Sequence, residues 1–285
     1  MRTIGLRILN ALQWTAFALW SFFWMSAAIV YGLIVRHDPH TPLSWARRFW
    51  GAGLVHLARA TLVKHPGFEP EPGKPYFFAM NHQSLFDIVA AFVCIPVNLR
   101  FVAKKSLRFI PFLGWYMSVT RMVFIDRENR DDAKRSLEEA CEKIKTGISI
   151  LTFPEGTRSR DGSILPLKKG LFIMAIQAGV PIVPVAIEGA QNLLQRDTLR
   201  IQPCRIDLVI GQPIPTEGLT LDDRDALMVR VRDAMIQLHR SIGGKGGEPL
   251  GESVVAGSAL SAPGLALGQT DQEDRASSTA SALDV

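Results

Sequence analysis

The sequence predicts an α/β fold, a mixed and partly parallel central sheet flanked by helices, preceded by an N-terminal membrane helix or two-helix membrane motif. Three observations predict it. Short apolar runs of strand length alternate with segments of helical periodicity from about residue 76 to residue 241, as in sheets whose strands are joined by helices. Clusters of polar residues follow directly on those runs, at the strand ends where α/β sheets place their sites. Residues 8–35 form a stretch of 28 without one charged side chain.

That uncharged stretch carries Trp14, Phe17, Trp20, Phe22, Phe23 and Trp24. A spanning helix needs about 20 apolar residues. A cleaved signal peptide has an apolar core of about 7–15, so an anchor is expected despite the small Ser26-Ala27-Ala28 cluster. Beyond Asp38, Thr41-Pro42 reads as an N-cap followed by proline at the first helical position. The helix it opens, to about residue 63, mixes Trp45, Phe49, Trp50, Leu54 and Leu57 with Arg47, Arg48, His56 and Arg59. Such a basic, tryptophan-bearing helix suits the headgroup layer. Two arrangements stand at this point: a helical hairpin in one leaflet, or a spanning anchor followed by an ordinary surface helix. Arg2 and Arg7 precede the apolar run and Arg36, Arg47 and Arg48 follow it, so basic-residue asymmetry does not orient the chain. The expected division is 1–64 membrane anchoring, 65–242 an α/β domain, and 243–285 a disordered tail rich in Gly, Ser and Ala.

Charge points to the partners. The chain carries +5 overall, but residues 243–285 hold two basic and six acidic side chains, which leaves +9 for residues 1–242. A basic body beside an apolar anchor favours membrane lipids and anionic substrates. No aromatic and basic pattern of a nucleic-acid motif is present, so no nucleic acid is expected as a partner. Cys94, Cys141 and Cys204 are too few and too scattered for a disulfide framework or a metal site.

In the body, strands are expected at 76–80, 99–103, 122–125, 148–153, 183–187 and 206–210. Helices are expected at 131–145, at 171–178 closed by Gly179, and from Thr220 to about Ser241 with Leu227, Val231, Ala234 and Leu238 as the apolar stripe.

Two motifs carry chemistry. Asn81-His82-Gln83-Ser84-Leu85-Phe86-Asp87 places a histidine at a strand end and a carboxylate five positions on. Histidine titrates near neutrality and suits general-base work, and the carboxylate can fix its tautomer and stabilise the imidazolium. Ser84-x-x-Asp87 also resembles a capping box, a local structural role compatible with the first. The second motif is Phe153-Pro154-Glu155-Gly156-Thr157-Arg158-Ser159-Arg160. Pro154 and Gly156 force a turn at a strand end, Arg158 and Arg160 offer forked donors to a phosphate, and Glu155 can brace the turn or orient an arginine. Lys104-Lys105 follows another strand and can add positive charge, Phe124-Ile125-Asp126-Arg127 ends a further one with an ion-pair-capable couple, either segment being equally compatible with a solvated face, while Lys168-Lys169 reads as a basic rim.

In this order, these segments resemble the 1-acylglycerol-3-phosphate acyltransferase family of glycerophospholipid acyltransferases. His82 and Asp87 match its H-x4-D motif. Lys104-Lys105-Ser106-Leu107 and Phe124-Ile125-Asp126-Arg127 fall in its second block, Phe153 to Ser159 in its third, and Val180-Pro181-Ile182-Val183-Pro184-Val185 is similar to its fourth, which lines the acyl or substrate cleft. The likeness covers roughly residues 40–215. It implies acyl transfer from acyl-CoA or acyl-carrier protein to the sn-2 hydroxyl of lysophosphatidic acid, with no metal or cofactor. His82 would be the base, Asp87 its orienting acid, and Arg158, Glu155, Gly156, Thr157, Lys105 and Arg127 the phosphate site. It also implies a bacterial inner-membrane protein whose catalytic domain faces the cytoplasm. One departure is Arg121, where the family commonly has glycine, and a changed acceptor pocket is expected there. A different lysolipid acceptor, such as a lyso-ornithine lipid, and a non-catalytic lipid-binding protein are the competing readings.

Overall fold

The computed structural model describes residues 2–35, 38–125, 142, 144, 147–194 and 200–247. Among these residues seven strands form one sheet in the order β1-β7-β6-β2-β5-β3-β4, comprising β1 (Thr61–Lys64), β2 (Phe77–Met80), β3 (Leu99–Lys104), β4 (Val123–Ile125), β5 (Ser149–Thr152), β6 (Ile182–Glu188) and β7 (Arg205–Ile210). Every neighbouring pair is parallel except β6 and β7. The centre is β2, with Phe77 opposite Ile150 on one side and Ile182 on the other. All four of its residues are buried, which explains why the sequence there is a continuous apolar run instead of an alternating one.

Each face of the sheet has its own core. Phe78, Met80, Leu151 and Val183 point into a layer with α4 (Phe86–Cys94), α5 (Leu113–Val119) and the N-terminal helices. Phe77, Ile150 and Ile182 point the other way, onto Phe172 of α6 (Gly170–Ala178) and, beyond the short α7 (Ala190–Leu193) in chain order, Val231 of α8 (Arg224–Ser241). The α6 helix ends where expected, on Gly179 at φ +63°, a left-handed cap that glycine adopts without strain. The last helix opens through a 3-10 turn, Leu221–Asp223, capped reciprocally by Thr220 and Asp223. Its buried stripe is Leu227, Val231, Met235 and Ile236, rotated from the expected one, with Ala234 and Leu238 at the margin. The helix expected at 131–145 lies outside the described residues, apart from Glu142 and Ile144, which are helical.

The N-terminal part departs most from expectation. Helix α1 spans Arg2–Ile34. The helix expected from 41 to about 63 is three pieces: α2 (His40–Trp45), a π-helical turn (Ala46–Gly51) and α3 (Ala52–Leu57). It starts two residues early, at His40 and not Pro42, because Asp38, not Thr41, accepts from the His40 and Thr41 amides. It ends early because Arg59 turns to φ +55° and Thr61–Lys64 leaves to pair with β7. Sheet pairing there overrides a helical pattern. Residues 243–247, assigned to the tail by composition, pack against the body: the Ile164 amide donates to Gly246 O, and the Gly246 amide to His239 Nδ1.

The pieces after residue 40 fold back on α1. Trp20 Nε1 donates to Trp50 O, and Trp50 Nε1 donates to Ser21 Oγ. Gly53 permits this approach, since a Cβ there would stand 2.4 Å from the Trp20 ring. Gly53→Leu should therefore force the hairpin apart and lower stability by about 1–3 kcal/mol, read as a lower melting temperature in detergent. An unchanged melting temperature would mean that the contact is not structural.

Candidate active site

Four strand ends converge at one edge of the sheet. At the end of β2, the Asn81 side chain bonds both ways to the Ile187 backbone on β6, at 2.9 and 2.8 Å. His82 follows, and its backbone is held on both sides by the second motif. Its amide donates to Glu155 Oε1 at 2.8 Å, and its carbonyl accepts from the Ser159 amide at 2.8 Å. Its imidazole stacks on Phe153, with centroids 3.9 Å apart and planes 17° from parallel. Motifs seventy residues apart in sequence thus form one unit.

His82 Nδ1 lies 2.7 Å from Asp87 Oδ2, the geometry of a ring N–H donating to a carboxylate. The same oxygen accepts from the Gln83 and Ser84 amides, so Asp87 both orients the histidine and satisfies donors ahead of α4. The two roles weighed from the sequence coexist in one carboxylate. Asp87 is fully buried, and burial pushes its pKa up against the pull of His82 and the two amides.

His82 lines a cavity of about 860 Å³. Most of its wall is apolar: Trp14 and Trp24 of α1, Trp50, Phe92 of α4, Phe101 of β3 and Tyr116 of α5. Its polar end is formed by Gly156, Thr157 and Arg158 together with His82. Gly156 sits at φ +72° under the Lys168 side chain, which would collide with a Cβ there. The structure therefore brings His82, Gly156, Thr157 and Arg158 to one cavity.

Other residues expected at this site lie elsewhere. Glu155 is behind the cavity wall, with both oxygens on backbone amides, His82 at one and Leu165 at the other. It braces the turn and faces no ligand space. Lys104 lines the cavity, while its neighbour Lys105 does not. Arg160 is exposed and also outside the lining. Arg127 lies outside the described residues. Val183 and Val185 are buried in the core beneath and do not line the cavity. Arg121 is exposed, is not part of the wall, and has φ +56°. A left-handed position suits glycine, and an arginine there costs about 1–2 kcal/mol; the departure from the family pattern is a matter of backbone, not of pocket shape.

A buried network behind His82 carries no sequence signal. Glu188 Oε2 accepts from Gln83 Nε2 at 2.8 Å and from His239 Nε2 at 2.6 Å. His239 is fully buried, and its Nδ1 accepts from the Gly246 amide, so its proton lies on Nε2. Burial raises the Glu188 pKa, but the bonds from His239 and Gln83 outweigh it and hold the carboxyl below its ordinary value. The residue next to His82 is thereby tied to the end of β6 and to α8. Nothing in spacing or periodicity could have joined positions 83, 188 and 239.

Burial also pushes the Glu155 carboxyl up, from 4.5 to about 7. A raised folded-state value means that the neutral form is favoured on folding. Its contribution to stability is complete below about 4.5 and is lost as pH rises through 7. Melting temperature in detergent should decline between pH 5 and 7.5 for the wild type and decline less for Glu155→Gln. Equal slopes would assign the decline to other groups.

A family model described as Acyltransferase matches residues 61–188, which include both motifs. An uncharacterised acyltransferase of Schizosaccharomyces pombe is 41% identical over 57% of this chain and 59% of its own length. The human 1-acyl-sn-glycerol-3-phosphate acyltransferase alpha is 36% identical over 62% of this chain and 63% of its own. The crystal structure of the 1-acyl-sn-glycerophosphate (LPA) acyltransferase PlsC from Thermotoga maritima superposes with a TM-score of 0.72 at 26% identity, covering 85% of this chain and 98% of that one. The chain thus spans about three fifths of the length of these curated relatives. Residues 61–188 thus match an acyltransferase family model, and the proteins of named activity that this chain resembles, in sequence and in structure, are 1-acyl-sn-glycerol-3-phosphate acyltransferases.

Proposed function

We propose that this chain moves an acyl group from a thioester, acyl-CoA or acyl-carrier protein, to the sn-2 hydroxyl of 1-acylglycerol-3-phosphate (lysophosphatidic acid), forming phosphatidic acid. The observation that carries this reading is that His82, paired with buried Asp87, shares one largely apolar cavity with Arg158. The named activity of the relatives supports the same acceptor.

With Nδ1 committed to Asp87, His82 keeps Nε2 to take the proton of the acceptor hydroxyl as its oxygen attacks the thioester carbonyl. The tetrahedral intermediate collapses, the C–S bond breaks, and the imidazolium returns the proton to the departing sulfur. No enzyme nucleophile is needed. The Asp87 carboxylate stabilises the transient imidazolium. Arg158 holds the acceptor phosphate and so aims the hydroxyl, with Gly156 and Thr157 of the same turn beside it. The apolar walls take hydrocarbon.

The contacts of α1 support attachment to one leaflet. By length and composition, residues 7–34 suffice to cross a membrane, but the body lies along them. The Ile201 amide donates to Asn10 Oδ1, Phe22 stacks edge-on against Phe112, and Gly32 meets Val119. Between Asn10 and Gly32, α1 runs about 33 Å, the thickness of a hydrocarbon core. A spanning α1 would draw the sheet's helical layer into lipid, so α1 lies along the surface. The catalytic face is then on the side where thioester donors are made, the cytoplasmic face of an inner membrane if the host is bacterial.

Purified protein with labelled oleoyl-CoA should convert lysophosphatidic acid and leave lysolipids without a terminal phosphate largely unlabelled. Labelling of another lysolipid instead would overturn the acceptor assignment. His82→Ala should reduce turnover by about 10²–10⁴-fold in folded, membrane-bound protein, and near-normal turnover would remove the base. Arg158→Ala should chiefly raise the KM for the phosphorylated acceptor, and an unchanged KM would exclude it from the clamp.

A further inference from the structure

The chain from the end of β3 into the first turn of α5 has two faces of different character. Its inner face, Leu107, Leu113 and Tyr116, lines the cavity. Its outer face carries Phe109, Ile110, Phe112 and Trp115, all exposed, with Phe109 at 78% and Trp115 at 54%. Exposed apolar side chains are common singly, but four within seven residues form a patch that needs an occupant.

The backbone holds this patch out deliberately. Phe112 has φ +61° and ψ −55°, and the Leu113 amide donates to Pro111 O, a γ-turn of the uncommon, strained hand. Such strain persists only where the surroundings over-determine it. Here Gly114 sits so close to Arg108 O that a Cβ would stand 2.0 Å from it, and its amide donates to Ile110 O. The turn is a closed, packed unit that directs aromatic rings outward.

Two observations identify what covers the patch. It is continuous with α1: Phe22 meets Phe112 at 4.7 Å, and Phe112 meets Trp115 at 5.1 Å. Leu19, Phe23 and Val30, exposed on α1, extend the same apolar surface. It is also bordered by exposed basic residues, Lys104, Lys105 and Arg108. Aromatic tips within a basic border match an anionic bilayer surface, where rings enter the headgroup boundary and cations meet lipid phosphates.

The geometry points to a second membrane-inserting element, the turn at residues 109–115, which enters the leaflet beside α1 and forms the wall between the acyl cavity and the lipid. This rests on the membrane-surface reading of α1 given above and goes beyond it. Consequently, a lipid-embedded acceptor reaches His82 past this turn without leaving the leaflet.

The test uses full-length protein with Cys94, Cys141 and Cys204 changed to alanine and one new cysteine carrying an environment-sensitive fluorophore, in vesicles of phosphatidylcholine and phosphatidylglycerol. The label goes at Phe109→Cys, at Leu19→Cys on α1, or at Glu217→Cys, exposed on the opposite side of the sheet. The expected result is blue-shifted emission, quenched by nitroxide-labelled lipid, at 109 and 19 but not at 217. Quenching at 19 with a water-like signal at 109 would overturn the inference and leave the anchor intact. Water-like signals at both would overturn the membrane-surface reading as well. In the unlabelled protein, Phe109→Ser with Trp115→Ser should cut turnover of vesicle-embedded acceptor severalfold while leaving that of a short-chain, water-soluble acceptor unchanged. Equal losses on both acceptors would reduce the turn to a structural role.

Discussion

The site depends on a carboxylate that never touches a ligand space. Glu155 accepts from the His82 amide with one oxygen and from the Leu165 amide with the other. It thereby ties the end of β2 to the turn after β5. The Ser159 amide on His82 O adds a second tie. Two adjacent parallel strands would in any case end near each other, but these bonds set the angle at which histidine and arginine face one cavity. A buried acceptor holding two backbone donors is costly to remove, because both donors would be stranded.

The His82–Asp87 pair rests on the same economy of buried acceptors. One oxygen of Asp87 takes the imidazole and two amides, so the orientation of the imidazole and the start of α4 are set together. Phe153 closes the other side of the ring by stacking. Behind them, Glu188 links Gln83 to His239 of α8. The last helix among the described residues thus contributes to the rigidity of a motif more than 150 positions before its end, and residues 243–247 complete that contact through Gly246.

The cavity explains why the N-terminal helices and the α/β body act as one object. Its walls draw on α1, the π-helical turn, α4, β3 and α5, so no single segment contains it. The same helices that close the cavity carry the apolar outer surface, so the cavity lining and that surface are two faces of one layer. Arg121 illustrates the opposite case. A residue that departs from the family pattern lies outside that layer, and what its position demands is a left-handed backbone.

The fold class, six of the seven described strands, the turn at Gly156 and the pairing of His82 with Asp87 are legible in the order of residues alone. Those features are local: a buried strand is an apolar run, a tight turn needs glycine, and residues five apart across a strand-to-helix turn can meet. The strand β1 is not, because Thr61–Lys64 has a helix-compatible pattern and becomes a strand only by pairing with Arg205–Ile210, more than 140 residues away. Glu155 and Lys105 read as part of the phosphate site, since a charged residue in a motif looks the same whether its side chain faces the cavity or the backbone behind it. Only the folded arrangement makes Glu155 a brace, sets Glu188 and His239 behind the motif, and lays α1 along the body. Each of these depends on which distant backbone donors and packing surfaces a side chain meets, and spacing along one chain does not encode those meetings.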